Sequence, residues 1–235
     1  MNTAMSVEKL TIGYPGRIIL SDATFEVAQG EIFTILGGSG CGKTTLMRCL
    51  IGLDTPLSGS ITASNKNSIG VMFQSGALMS AMTLLENVML PLEEHTLLPR
   101  DIMEETARLK LSVVGLAQYG RYYPSEVSGG MVKRAAIARA MALDPEIVFL
   151  DEPSAGLDPI TRTELDTLIQ QLAQNLNITF IMVTHELDTI RSIVDRAIVL
   201  HGGVIAAQGS IPYLEHESTI PFVRQFFHPK EKKYE

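Results

Sequence analysis

The stretch Gly37-Gly38-Ser39-Gly40-Cys41-Gly42-Lys43-Thr44 fits the pattern G-x-x-x-x-G-K-[ST]. An apolar run, Glu31–Leu36, leads into it, and a helical pattern, Lys43–Gly52, leads out. Glycines at this spacing let consecutive backbone N–H groups curl around phosphate oxygens. The helix start adds favourable potential for an anion, Lys43 reaches the β- and γ-phosphates, and the Thr44 hydroxyl is placed to ligate Mg²⁺. A strand that ends in such a loop and opens a helix is the first unit of a parallel α/β core.

Outward from that loop, apolar runs and helical patterns alternate. Strands are expected at Val7–Ile12, Ile18–Val27, Ser60–Ala63, Ile69–Phe73, Ile147–Leu150, Ile178–Val183 and Ala197–Leu200, with a His201-Gly202-Gly203 hairpin into Val204–Ala207. Ile147–Leu150 and Ile178–Val183 are continuous rather than alternating, as expected of strands covered on both faces. Helices are expected at Pro159–Gln174 and Glu186–Val194, the former with Asp158 as N-cap and proline at its first position. Between Ser75 and Leu143 the strand signals fade. Pro99–Val114 reads as a helix with Ile102, Leu109 and Val113 on one face, stopped by Gly115. A second helix runs from Gly129 to Leu143, with Met131, Ala135, Ala138 and Ala142 on a stripe and Lys133, Arg134 and Arg139 elsewhere. Beyond Ser210 the chain reads as short helices broken at Pro221.

Composition bounds the function. The chain has 235 residues, a formal net charge of −7, 46% apolar residues and 19% charged ones. That excludes disorder, and it excludes a sequence-independent nucleic-acid binder, whose footprint would be basic. No apolar run approaches the roughly 18 residues that cross a bilayer, and Glu8 and Lys9 interrupt any secretory leader near the start. The expectation is an unexported, soluble protein. Cys41 and Cys49 read as reduced thiols. The tail cluster Lys230-Glu231-Lys232-Lys233 reads as a solvated end.

Ile147–Leu150 runs into Asp151-Glu152, two adjacent carboxylates that point to opposite sides of an extended chain. Downstream of a phosphate loop, Asp151 is placed to hold the Mg²⁺ hydration shell, and Glu152 to face the water aligned on a γ-phosphate. Standing alone, the pair reads equally well as a helix-capping acid. Ser128, ahead of Gly129-Gly130, is an N-cap at another anion-ready helix start.

The collinear set of these motifs resembles the ATP-binding-cassette (ABC) ATPases over nearly the whole chain. Val127-Ser128-Gly129-Gly130-Met131 resembles the family's signature, and Pro153-Ser154-Ala155-Gly156-Leu157-Asp158 its D-loop. Gln74 matches the Q-loop glutamine, His185 in Val183-Thr184-His185-Glu186 the switch histidine, and Tyr14 the aromatic that stacks on adenine. The resemblance implies an α/β P-loop NTPase core with an N-terminal antiparallel β region (residues 1–74 and 146–235) and an inserted helical signature subdomain (75–145). It implies ATP held by Tyr14, Gly37, Gly38, Ser39, Gly40, Cys41, Gly42, Lys43, Thr44 and Thr45. Mg²⁺ falls to Thr44, Gln74 and Asp151, and catalysis to Glu152, His185 and Gln74. Two copies would share the sites, so that Ser128, Gly129 and Gly130 serve the partner's nucleotide.

Phe73-Gln74-Ser75-Gly76-Ala77-Leu78, Asn87-Val88, Pro91-Leu92, Glu94-His95-Thr96, Met131 in the signature and Phe222-Val223-Arg224-Gln225-Phe226-Phe227 resemble the ATPase subunit of Mla/MCE-type phospholipid transporters. That resemblance implies a separate integral membrane permease, an MCE-domain lipid-binding protein and a small accessory subunit. It also implies no nucleic acid, and a place on the cytoplasmic face of a bacterial inner membrane. An importer ATPase for a small solute shares the catalytic parts. A DNA-repair or translation cassette would carry coiled-coil insertions or a tandem cassette, and an inactive scaffold would lack catalytic positions that are filled here. Apolar residues Ala77, Leu78, Met79, Met82, Leu84 and Leu85 suit a groove for a permease helix. Two features depart from the family pattern. Only 14 residues separate Gly59 from Gln74, so the antiparallel arm is expected to be trimmed, and Met131 cannot supply the amide of the usual glutamine. Cys41 occupies a variable loop position, and its small side chain is expected to pack.

Overall fold

The computed structural model describes residues 2–64 and 69–229. The tail cluster read as a solvated end, and part of the arm between Gly59 and Gln74, lie outside the described residues. The chain is an α/β protein of two compact units, residues 1–64 with 181–235, and residues 65–180.

In the first unit, β1 (Thr3–Tyr14), β2 (Arg17–Ala28) and β4 (Ser58–Ala63) form an antiparallel sheet with β1 in the middle. Met5, Val7, Leu10 and Ile12 of β1 are fully buried, as are Leu20 and Val27 of β2. β3 (Ile32–Gly37) is buried along its whole length and runs parallel to β8 (Arg196–His201), pairing Ile35 with Ile198 and Gly37 with Leu200. Its single polar side chain, Thr34, is satisfied by donating to the Met182 carbonyl at 3.0 Å. β3 delivers the chain into α1 (Lys43–Leu50), which buries Leu46, Met47, Cys49 and Leu50. β8 turns back through Gly202-Gly203 into β9 (Val204–Ser210), the expected hairpin.

The second unit holds β5 (Ile69–Met72), parallel to β6 (Ile147–Asp151), with four longer helices. These are α2 (Leu84–His95), α3 (Arg100–Val113), α4 (Gly129–Ala140) and α5 (Pro159–Leu176). The expected cap of α5 is present: the Asp158 carboxylate accepts from the Ile160 and Thr161 N–H groups, both at 3.1 Å. β7 (Thr179–Val183) begins in this unit, where the Thr179 N–H donates to the Glu146 carbonyl at 2.9 Å, and ends in the first. There α6 (Leu187–Ile193) follows, and beyond Ser210 the expected short helices are present, a helical turn at Tyr213–Glu217 and α7 (Pro221–Phe227), the break falling just ahead of Pro221.

Three local readings are corrected. α2 went unread, although a capping box starts it: Thr83 accepts from the Glu86 N–H and Glu86 accepts from the Thr83 N–H at 2.7 Å. On α3, Ile102, Leu109 and Val113 share a face, but they are exposed at 42%, 62% and 39%. The packed face is the opposite one, with Ala107 and Leu111 buried and Val114 beyond the helix end. Finally, Leu84 and Leu85 belong to the core rather than a groove, whereas Met79 and Ala77 are exposed.

Candidate functional site

In the first unit the phosphate loop is built by the strand-to-helix turn. The Lys43 ammonium donates to the Gly37 carbonyl at 2.9 Å and the Gly38 carbonyl at 3.0 Å, so the cation is folded over its own loop. Gly42, at φ 103°, is the N-cap of α1, and a Cβ there would stand 2.5 Å from Ile19 Cγ2. The turn closes only without a side chain. A cavity of about 610 Å³ is lined by Tyr14, Ser39 to Thr45, Arg17, Ile18, Ile19, Gly202 and Gly203. Tyr14 and the loop, assigned to opposite ends of a nucleotide, therefore share one cavity. Tyr14 is 54% exposed, leaving its ring face available for stacking.

Arg17, Ile18, Ile19 and the glycine pair were not read as site residues. The β1–β2 hairpin and the β8–β9 turn bring them there, and the Ser21 N–H donates to the Gly203 carbonyl at 2.9 Å. Only the pairing of distant strands reveals them. His185 follows β7 in the same unit, exposed, with Nε2 3.8 Å from a Glu186 carboxylate oxygen.

In the second unit, β6 is buried from Ile147 to Leu150 and ends at half-buried Asp151. Glu152 follows at φ 47°, a left-handed conformation uncommon for a residue with a side chain. Its carbonyl accepts from the Ala155 N–H at 3.2 Å, closing the turn that carries Pro153 and Ser154. Lys133 of α4 donates to the Gln74 carbonyl and, at 3.5 Å, to the Glu152 carbonyl. Gln74 and Glu152, assigned to catalysis from separate motifs, thus meet through one ammonium. Burial pulls the Lys133 pKa below its ordinary value, against the opposing pull of the Glu152 and Asp151 charges. The stripe pattern had placed Lys133 away from the packed side of its helix; the structure buries it.

The start of α4 is capped as expected, with Ser128 Oγ accepting from the Met131 N–H at 3.3 Å. A Cβ on Gly130 would meet Thr161 Cγ2 at 2.4 Å, so this glycine permits close packing on the first turn of α5. Thr161 is fixed in turn by donating its hydroxyl to Asp158 at 2.6 Å. The backbone at Ser128–Gly130 and the turn before α5 are therefore braced together.

The ABC transporter family model matches residues 20–155. The chain is 40% identical over 224 residues to the intermembrane phospholipid transport system ATP-binding protein MlaF of Escherichia coli (strain K12), spanning 89% of this chain and 83% of that protein. It is 36% identical over 240 residues to the "probable ribonucleotide transport ATP-binding protein mkl" of Mycobacterium leprae (strain TN), spanning 96% of this chain and 69% of that protein. Among solved structures, cbiO1 from Clostridium perfringens, part of the ABC transporter complex cbiONQ, is similar at TM-score 0.84 and 30% identity, over 91% of each chain. With a phosphate loop at the head of α1, an Asp-Glu pair closing β6 and a serine-capped glycine pair opening α4, the chain belongs to the ABC transporter family as one of its ATP-hydrolysing cassettes.

Proposed function

We propose that this cassette powers phospholipid transport that maintains outer-membrane lipid asymmetry. The observation that carries the reading is the 40% identity to MlaF across most of both chains, above the 36% to mkl and the 30% to cbiO1. ATP is held at Tyr14 and at Gly37 through Thr45. The donor chemistry suits Mg²⁺: a threonine hydroxyl in the first turn of α1 lines the cavity, and an amide oxygen and a carboxylate are hard oxygen donors of the kind the ion takes. Thr44, Gln74 and Asp151 would hold it, and when bound it neutralises charge on the phosphate oxygens.

Phosphoryl transfer to water needs chiefly positioning and charge neutralisation. Lys43 stabilises the phosphate charge. Glu152 accepts a proton from the attacking water, while His185 and Gln74 sense the γ-phosphate. Two copies close on two nucleotides, each giving Ser128, Gly129 and Gly130 to the other's site. Residues 75–145 act as the signature subdomain, 1–74 and 146–235 as the core.

No helix among the described residues is long and apolar enough to cross a membrane, which supports a separate permease as the membrane part. The remaining partners are an MCE-domain lipid-binding protein and a small accessory subunit, and the cassette itself sits on the cytoplasmic face of the bacterial inner membrane, held there by the permease. A second reading, an importer ATPase for a small solute, is favoured by the 36% identity to mkl, whose name gives it a probable role in ribonucleotide transport. Affinity purification of the full chain from native membranes, followed by mass spectrometry, separates the two. Co-purification of a permease with an MCE-domain protein is expected; a solute-binding protein in their place overturns the lipid reading.

A further inference from the structure

α4 carries two cations that turn inward. Lys133 is 8% exposed, and its ammonium is spent on main-chain carbonyls, those of Gln74 and Glu152. Six residues further on, Arg139 donates to the Gly76 carbonyl at 2.8 Å and the Ala77 carbonyl at 2.6 Å. Three carbonyls of the loop that follows β5 are therefore gripped by one helix. The Arg139 contacts lie on that loop, and Lys133 also reaches the turn that follows β6.

An ammonium so nearly buried is an expensive way to fill space, since an apolar side chain of similar volume would pack there without desolvation. The site it occupies explains the choice. Glu152 is held at φ 47°, so the peptide plane that follows it needs partners to keep that conformation over the extended alternative. The Ala155 N–H supplies one partner and Lys133 a second. The same ammonium fixes the Gln74 peptide, and the negative charges of Asp151 and Glu152 lie close enough to favour its charged form.

We infer that Lys133 is a positioning residue for hydrolysis: by holding the Gln74 and Glu152 carbonyls together, it sets the geometry from which both side chains act. This rests on the roles given above to Gln74 and Glu152. Lys133 needs no contact with nucleotide to do this.

The test uses the full chain and compares wild type with Lys133→Met, Lys133→Arg, Glu152→Gln and the double variant Lys133→Met/Glu152→Gln. Fluorescent-nucleotide titration gives affinity, and steady-state and single-turnover assays give kcat and KM. Lys133→Met is expected to lower kcat about tenfold or more while KM and nucleotide affinity stay within about threefold, the pattern of a lost transition-state interaction. Lys133→Arg, which keeps a cation and its donors, is expected to recover most of the turnover. The double variant is expected to be no slower than Glu152→Gln alone, because Lys133 acts through Glu152.

The inference is overturned if Lys133→Met keeps turnover within about twofold of wild type, or if its loss multiplies in the double variant. It is also overturned if the loss lies wholly in KM. Should Lys133→Met fail to fold, Lys133→Ala, which likewise removes the donor and adds no bulk, takes its place with the same expectations. Wild-type turnover in Glu152→Gln alone contradicts the Glu152 assignment, a separate outcome.

Discussion

The Lys43 ammonium donates to the carbonyl oxygen of Gly37 at 2.9 Å, across the loop that separates the last residue of β3 from the first of α1. The lysine is thus held over the backbone that the proposed function gives to the phosphates. Lys43→Ala removes a charge-assisted contact worth about 1.5–3 kcal/mol, so nucleotide affinity is expected to fall about 10- to 100-fold. Because the lost bonds are local to the loop, the melting temperature should move little. Titration with a fluorescent ATP analogue, alongside a thermal melt, checks both halves.

Gly42→Ala tests the shape of the same loop. The new Cβ would lie 2.5 Å from Ile19 Cγ2, at a φ of 103° that alanine disfavours. Strain and overpacking together cost about 1–3 kcal/mol, and either the loop opens or β2 shifts. Nucleotide affinity should drop at least about tenfold even though no phosphate-contacting side chain has changed. Affinity equal to wild type would contradict the loop geometry.

The cap of α2 predicts a pH-dependent stability. Thr83→Ala should cost about 1 kcal/mol in urea unfolding at neutral pH. The Thr83 N–H and hydroxyl donate to the Glu86 carboxylate and hold its pKa below the ordinary value. A depressed carboxylate pKa means that this stabilisation is fully present above the unfolded-state pKa. It is lost as the pH falls through the folded one. Glu86→Gln should therefore flatten the stability curve on the acid side, and an unchanged acid limb would count against the capping box.

The two faces of α3 give opposite expectations. Leu111 is 1% exposed and Leu109 is 62% exposed. Leu111→Ala should destabilise the protein by about 2–5 kcal/mol, while Leu109→Ala should stay within about 0.5 kcal/mol of wild type. Denaturant midpoints for the two variants decide which face packs.

Much of this was legible because certain residues carry their geometry locally. Asp158-Pro159 announces a helix start, Ser128 announces another, and the glycine–lysine pattern at 37–44 fixes a strand, a turn and a helix at once. α2 was missed although Thr83-Leu84-Leu85-Glu86 spells a capping box, because Pro91 inside it reads as a break; that proline removes the donor to the Asn87 carbonyl, yet the helix continues. On α3 the apolar stripe pointed the wrong way, since a small alanine and a single leucine make the packed face and the larger side chains stay in solvent. Lys133 was invisible for a different reason. Its acceptors are main-chain carbonyls in two loops distant in sequence, and periodicity carries no record of them. Arg17 and Gly203 likewise reach the cavity only through strand pairing.

The most direct test of the account is the solution mass of Glu152→Gln, measured by light scattering with and without ATP. If Glu152 activates the water and two copies enclose the nucleotide, this variant binds ATP without consuming it, and its mass doubles on adding ATP. A mass unchanged by saturating ATP, in a variant that still binds it, would contradict hydrolysis between two copies.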